Sequence, residues 1–132
     1  MTKEQLEKLN NEYKNKSPQE ILSFVISEFG IDLKVASSLG VEDQVITQMV
    51  TAIDKNVKVF VLDTGRLHQE TYDVLDQTKQ AYKVNYEIYF PDTSSVENLL
   101  KTKGPNSFYQ SIENRKECCG IRKIEPLKRA LS

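Results

Sequence analysis

Two hydroxyl side chains and a glycine follow the first strand-like segment of the chain, in Ser37, Ser38 and Gly40. A helical pattern begins directly afterwards, with Glu42 and Asp43 in its first turn. Free backbone N–H groups and the helix dipole at such a junction favour an anion such as phosphate. The same residues also suit an ordinary helix cap without any ligand, so both interpretations stay open for this segment.

A second polar segment follows the next apolar run, in Leu62-Asp63-Thr64-Gly65-Arg66. Asp63 is a candidate partner for a hydroxyl or an amine. Thr64 and the N–H of Gly65 are candidate partners for phosphate or ring atoms. Arg66 is suited to pairing with an anion. Because successive parallel strands end at the same edge of a sheet, the two polar segments are predicted to face one crevice.

The third segment with chemical potential holds both cysteines, Cys118 and Cys119. Their Cα atoms are about 3.8 Å apart across a trans peptide, below the ~4.4 Å that a relaxed disulfide needs. Between residues 115 and 129 six basic residues face only two acidic ones, and such cations stabilise thiolates. Two thiolates at a predicted helix start favour a metal or iron–sulfur site, with an anion-binding basic patch as the competing interpretation.

These segments need elements to position them, and the periodicity of the apolar residues supplies those elements. Helical spacing predicts helices over residues 3–15, 18–29, 42–55, 66–82, 96–103 and 117–131. Apolar or strand-like runs predict strands over residues 33–39, 57–62 and 84–90. The helix over residues 66–82 places His68, the single histidine, one turn inside it, where packing or orientation is a better role than acid–base catalysis.

Strands that alternate with helices predict an α/β fold, with a parallel sheet covered by helices on both faces. No linker or repeat divides the sequence, so residues 1–132 are predicted to form a single domain. Three strands make a small sheet for such a fold. The chain also stops directly after a helix, which predicts that the fold is incomplete.

Composition excludes several classes of protein. The 132 residues are 39% apolar and 28% charged, which is typical of a globular chain. The net charge of −1 argues against a generally basic nucleic-acid binder. No apolar run approaches the ~18 residues of a membrane span, and the first 16 residues are charged without an apolar core. A cytoplasmic protein with neither nucleic acid nor membrane as a partner is expected.

Together these segments resemble the N-terminal part of the assimilatory adenylyl-sulfate reductases, in the family that also contains the phosphoadenylyl-sulfate reductases. The resemblance covers nearly the whole chain after about residue 17. The longest matching stretch, residues 61–72, is specific for this family when it occurs together with the paired cysteines. The matching stretches are residues 38–43 (SLGVED), 61–72 (VLDTGRLHQETY), 89–92 (YFPD), 104–109 (GPNSFY) and 114–119 (NRKECC).

The resemblance implies an adenine nucleotide α-hydrolase-like fold, related to the PP-loop ATP pyrophosphatases. It implies reduction of adenosine 5′-phosphosulfate to sulfite and AMP, with thioredoxin as electron donor. By the family pattern the turn from Ser37 to Gly40 holds the phosphosulfate, and Leu62–Gly65, with Arg66 beside it, holds the adenosine end. Cys118 and Cys119 match two of the four ligands of a 4Fe-4S cluster. Lys123 matches a lysine beside that cluster that supports catalysis.

The sequence also departs from the family pattern. The family carries a later Cys-x-x-Cys with the other two cluster ligands, and a C-terminal Glu-Cys-Gly-x-His tail with the nucleophilic cysteine. Neither motif occurs in these 132 residues. An excised N-terminal part, a truncated gene product and half of a split enzyme completed by a second chain all remain open. So do a phosphoadenylyl-sulfate reductase and a nucleotide-binding module without redox activity. The paired cysteines favour the unphosphorylated substrate.

Overall fold

The computed structural model describes residues 1–132, and its elements alternate as the periodicity predicts. Two helices precede the first strand, and the last helix is interrupted by a π-helical segment, Gly120–Ile124. The elements are α1 Lys3–Tyr13, α2 Pro18–Phe29, β1 Lys34–Ala36, α3 Val41–Ile53, β2 Lys58–Leu62, α4 Gln69–Tyr82, β3 Tyr86–Tyr89, α5 Thr93–Lys103, α6 Ile112–Cys119 and α7 Glu125–Ala130.

The three strands form one parallel sheet in the order β1-β2-β3. The central strand β2 is the most buried, since Val59, Phe60 and Val61 are each at most 3% exposed. An apolar run without alternation is what a parallel strand covered on both faces requires. The predicted α/β fold with a parallel sheet is therefore confirmed.

Helices cover both faces of this sheet. Val35 of β1 packs against a cluster that α2 and α3 contribute to, through Ile26 and Val50. Its neighbour Lys34 donates from Nζ to the carbonyl oxygen of Ala130 in α7. Because adjacent residues of a strand point to opposite faces, α7 covers the face opposite α2 and α3. None of the helices combines the length and apolar character that a membrane span requires.

Three predicted helix starts are wrong by three residues or more, among them that of α5, which begins at Thr93 and not at residue 96. The helix predicted from residue 66 begins at Gln69, and His68 is its N-cap rather than a residue one turn inside it. The final helix, predicted from residue 117, begins at Ile112, because the Ser111 side chain accepts from the N–H of Asn114 and caps it there. Cys118 and Cys119 therefore lie at the carboxyl end of α6 and not at a helix start.

Asp92 caps α5 and makes its stability depend on pH. Its carboxylate accepts from the Ser94 hydroxyl at 2.6 Å and from the Ser95 N–H at 2.8 Å. These bonds, that of Ser94 first, lower the pKa of Asp92 from 3.8 to about 2. A lowered folded-state pKa gives stability that is present above the unfolded value and is lost as pH falls through the folded one.

We therefore expect Asp92→Ala to lower the midpoint of thermal unfolding by a few degrees above about pH 4. The difference from the parent should shrink as pH falls from 4 to 2, because the parent then loses the ionised cap. Asp92→Asn is the matched control, since asparagine caps without titrating. A difference between Asp92→Ala and the parent that stays constant with pH would contradict this assignment.

Candidate functional site

The turn after β1 is closed by its own serine side chains. The Leu39 N–H donates to Ser37 Oγ at 3.1 Å, and the Gly40 N–H donates to Ser38 Oγ at 3.3 Å. Leu39 has a φ of 64°, a left-handed conformation that costs a non-glycine residue on the order of 1 kcal/mol. Its side chain is only 7% exposed, so burial holds the strained turn in place.

Asp43, in the first turn of α3, closes the same turn from the other side. Its Oδ2 accepts from the Ser38 N–H at 2.6 Å and from the Ser38 hydroxyl at 2.5 Å. Gly40 is the N-cap of α3 and offers no side-chain cap to the helix N-terminus. An anion that binds at this helix start must therefore compete with the Asp43 carboxylate for the donors of Ser38.

The turn after β2 is held by Asp63, which is only 4% exposed. Asp63 Oδ1 accepts from the Gly65 N–H at 2.8 Å and from the Tyr72 hydroxyl at 3.1 Å. The bond to the Asp63 carboxylate raises the pKa of Tyr72 above its usual value of 10.0. Gly65 has a φ of +70°, which glycine adopts without strain. The Asp63 carboxylate therefore stabilises the conformation of the turn through these two hydrogen bonds.

Both strand ends border one cavity of about 500 Å³. Such a volume lies within the ~300–1,000 Å³ range of small-molecule sites. Of the predicted substrate-binding residues, Gly40, Asp63 and Gly65 do not line it. Those that do are Ser37, Ser38, Leu62, Thr64 and Arg66, and they are joined there by Asp43 and Lys123.

The guanidinium of Arg66 is occupied by a loop 40 residues further along the chain. It donates from Nη1 to the carbonyl oxygen of Pro105 and from Nη2 to Asn106 Oδ1 at 3.2 Å. It also lies over the ring of Phe108, 4.9 Å from the centroid. Arg66 therefore links the loop to the cavity wall. Both terminal nitrogens of Arg66 already donate to this loop, so they are not free to bind an anion in this arrangement.

A second cavity of about 480 Å³ adjoins the first and shares Thr64, Arg66 and Lys123 with it. Its wall includes both cysteines, which are free thiols of intermediate exposure. His68, Arg115 and Arg122 add to the basic character of this wall. Lys123 therefore borders both the cavity at the strand ends and the cavity at the thiols.

The donor set for a metal within this chain is small. No group of three or more His, Cys, Asp or Glu side chains comes together as an ion site. Cys118 and Cys119 supply two thiolates, whereas a 4Fe-4S cluster takes four. The residues of this chain therefore fit half of such a site and cannot hold a cluster alone.

Three residues of the site were not predicted from sequence. The sequence presents Asp43 only as an acidic residue suited to a helix start, and Tyr72 only as part of a matching stretch. It presents Arg122 only as one of the cations near the thiols, yet Arg122 is buried and donates to the carbonyl oxygen of Thr64 at 2.6 Å. The Tyr72–Asp63 contact joins residues 9 positions apart and the Arg122–Thr64 contact joins residues 58 positions apart, so neither produces a periodic pattern in the sequence.

Known proteins are similar to this chain over most of its length. Residues 32–132 match the phosphoadenosine phosphosulfate reductase domain family. An adenosine 5′-phosphosulfate reductase of Pseudomonas aeruginosa (strain LESB58) is 48% identical over 118 residues, which cover 89% of this chain and 43% of that protein. The chloroplastic 5′-adenylylsulfate reductase 3 of Arabidopsis thaliana is 40% identical, covering 97% of this chain and 27% of that protein.

A solved structure shares the fold. The phosphoadenylyl-sulfate reductase of Candida auris, in complex with phosphate, superposes with a TM-score of 0.83 at 27% identity. The superposition covers 98% of this chain and 62% of that one. The chain thus spans less than half the length of the two sequence relatives and under two thirds of the structural one.

Proposed function

The chain belongs to the phosphoadenosine phosphosulfate reductase domain family, and from that premise we propose that residues 1–132 are the nucleotide-binding part of an adenylyl-sulfate reductase. The whole enzyme would reduce adenosine 5′-phosphosulfate to sulfite and AMP, with thioredoxin as the electron donor. The names of the two sequence relatives support the choice of substrate. Thioredoxin is part of the proposal through the resemblance of the sequence motifs alone.

One observation carries this proposal, namely that the two strand ends and Lys123 border a single cavity of about 500 Å³. We assign the adenosine end of the substrate to the turn Leu62–Gly65. The phosphosulfate is assigned to the turn at Ser37–Gly40, beside the N-terminus of α3. The Candida auris relative is a complex with phosphate, which supports an anionic ligand for this chain.

The thiols lie beside this cavity, and we assign Cys118 and Cys119 to two of the four ligands of a 4Fe-4S cluster. The other two ligands would come from a second chain or from a longer form of this one. Lys123 borders both cavities, so its ammonium group can attract the anionic substrate and the cysteine thiolates together. This supporting role does not need Lys123 to transfer a proton.

Two alternatives have support of their own. The Candida auris relative is a phosphoadenylyl-sulfate reductase, which favours a substrate with a 3′-phosphate. The other alternative is a nucleotide-binding module without redox activity, for which the cavity at the two strand ends would also serve. The paired cysteines argue for the unphosphorylated substrate, and affinities for AMP and adenosine 3′,5′-bisphosphate separate the two reductases.

The test is calorimetric titration of purified residues 1–132 with each nucleotide. We expect AMP to bind with the higher affinity and Asp63→Ala to weaken AMP binding about tenfold, because the turn loses its internal brace. Asp73→Ala is the matched control, since this exposed carboxylate bonds only to the Gln69 side chain. Equal AMP affinity in Asp63→Ala and the parent would refute the site assignment.

A further inference from the structure

Arg122 is a buried cation in the π-helical segment between α6 and α7. It is 7% exposed, although most arginines lie at the surface. Its Nη1 donates to the carbonyl oxygen of Thr64 at 2.6 Å, within the turn that follows β2. The bond joins residues 58 positions apart, so it connects the cysteine-bearing helix directly to the turn.

Burial of this guanidinium is not explained by stability alone. Its Nε is buried and has no hydrogen-bond partner in the chain. An unpaired buried donor costs stability, and an apolar side chain at this position would avoid that cost. The bond to Thr64 is what the arginine provides and an apolar residue does not.

The same guanidinium also lies against Gly65. A Cβ on Gly65 would stand 3.3 Å from Arg122 Nη1, tighter than ordinary contact. Arg122 therefore donates a hydrogen bond to Thr64, and its guanidinium lies beside the position that a side chain on Gly65 would take. Asp63 holds the turn through the Gly65 N–H, so the bond to Thr64 is a second restraint on it.

We propose that Arg122 is a positioning residue for nucleotide binding, which holds the turn Leu62–Gly65 in its binding conformation and ties it to the helix of Cys118 and Cys119. The proposal rests on the proposed nucleotide site. Arg122 follows the two cysteines by four and three residues in one continuous helical rod. The bond to Thr64 therefore joins the rod that carries both thiols to the turn after β2.

Three variants test this role. Arg122→Met removes the donors and keeps the length of the side chain, and Arg122→Lys keeps the charge and one potential donor. Lys128→Met is the matched control, because Lys128 is an exposed cation on the same helical rod and lines neither cavity. AMP affinity is measured by calorimetry, and exchange of the Gly65 amide by NMR, which reports the order of the turn without any ligand.

We expect Arg122→Met to weaken AMP binding about tenfold and to speed Gly65 amide exchange by a similar factor. Arg122→Lys should give values between those of Arg122→Met and the parent in both measurements. If Arg122→Met does not fold, Arg122→Lys alone tests the proposal. Lys128→Met should change either value by less than about threefold. A merely structural role would shift the unfolding midpoint while leaving AMP affinity and Gly65 exchange at the parent values.

Two results would overturn the proposal. One is parental AMP affinity in folded Arg122→Met or Arg122→Lys, and the other is an equal loss in Lys128→Met, which would mean that charge alone is responsible. If the parent itself fails to bind AMP, the proposed function is wrong. Gly65 exchange then decides the role of Arg122 separately, because unchanged exchange in the variants shows that Arg122 does not hold the turn.

Discussion

Gly65→Val is expected to lower AMP affinity by at least tenfold, the largest effect of any single substitution in the turn after β2. Gly65 has a φ of +70°, a conformation that is a strained outlier for a β-branched residue. Its new Cβ would also stand 3.3 Å from Arg122 Nη1. The strained φ disfavours the present shape of the turn, and Arg122 Nη1 must move by a few tenths of an ångström, so the bonds at Asp63 and Arg122 that position the turn are weakened.

Gly30→Val separates this local effect from a general loss of stability. Gly30 also has a positive φ, 48°, but a Cβ there meets nothing within 4 Å, and Gly30 caps α2 near the amino end of β2, whereas the two polar turns follow the carboxyl ends of the strands. We expect Gly30→Val to lower the unfolding midpoint and to keep the AMP affinity of the parent. Calorimetry on both variants below their unfolding temperatures checks this. Equal affinities in the two variants would show that the turn at Gly65 does not bind the nucleotide.

Residues 1–132 alone are expected to release no sulfite from adenosine 5′-phosphosulfate. In the proposed reaction a cysteine thiolate attacks the sulfate sulfur, an S–S bond forms, and the S–O bond to AMP breaks. A thiolate of reduced thioredoxin then attacks the cysteine sulfur, and sulfite leaves with the bonding pair. The second thioredoxin thiol breaks the resulting mixed disulfide, which returns the cysteine thiol and leaves thioredoxin oxidised. This chain has two thiols, and both are assigned to iron ligation.

The measurement is a sulfite-release assay with reduced thioredoxin after anaerobic reconstitution with iron and sulfide. A longer relative, such as the Pseudomonas aeruginosa enzyme, is the positive control. We expect sulfite from that control and background from residues 1–132. Turnover above background would place the nucleophile at Cys118 or Cys119, and Cys118→Ser and Cys119→Ser would then show which thiol reacts.

The fold was predictable because its signals are local. The uninterrupted apolar run in β2 and the helical spacing that follows each strand predict a parallel sheet covered on both faces. The strands are shorter than predicted, as in β1, which spans Lys34–Ala36. A strand ends where its backbone hydrogen bonds to the neighbouring strand end. The run of apolar residues continues beyond that point, so a prediction from apolar residues makes the strand too long.

The site was predictable in its location and less so in its contacts. The polar residues after β1 and β2 lie beside one cavity because parallel strands end at the same edge. The inward direction of the Asp63 carboxylate depends on Tyr72, and the position of Arg66 depends on a loop 40 residues away. The π-helical segment that carries Arg122 has no sequence signature. These contacts arise from tertiary packing, which the spacing of residue types does not encode.

Amide hydrogen exchange of residues 1–132 with and without AMP tests the central claim most directly, because it locates the nucleotide as well as detecting it. We predict that saturating AMP slows exchange at residues 37–40 and 62–66 together, and leaves the N–H groups of α1 unchanged. Protection confined to other segments, or no protection at AMP concentrations in the millimolar range, would contradict a nucleotide site at the two strand ends.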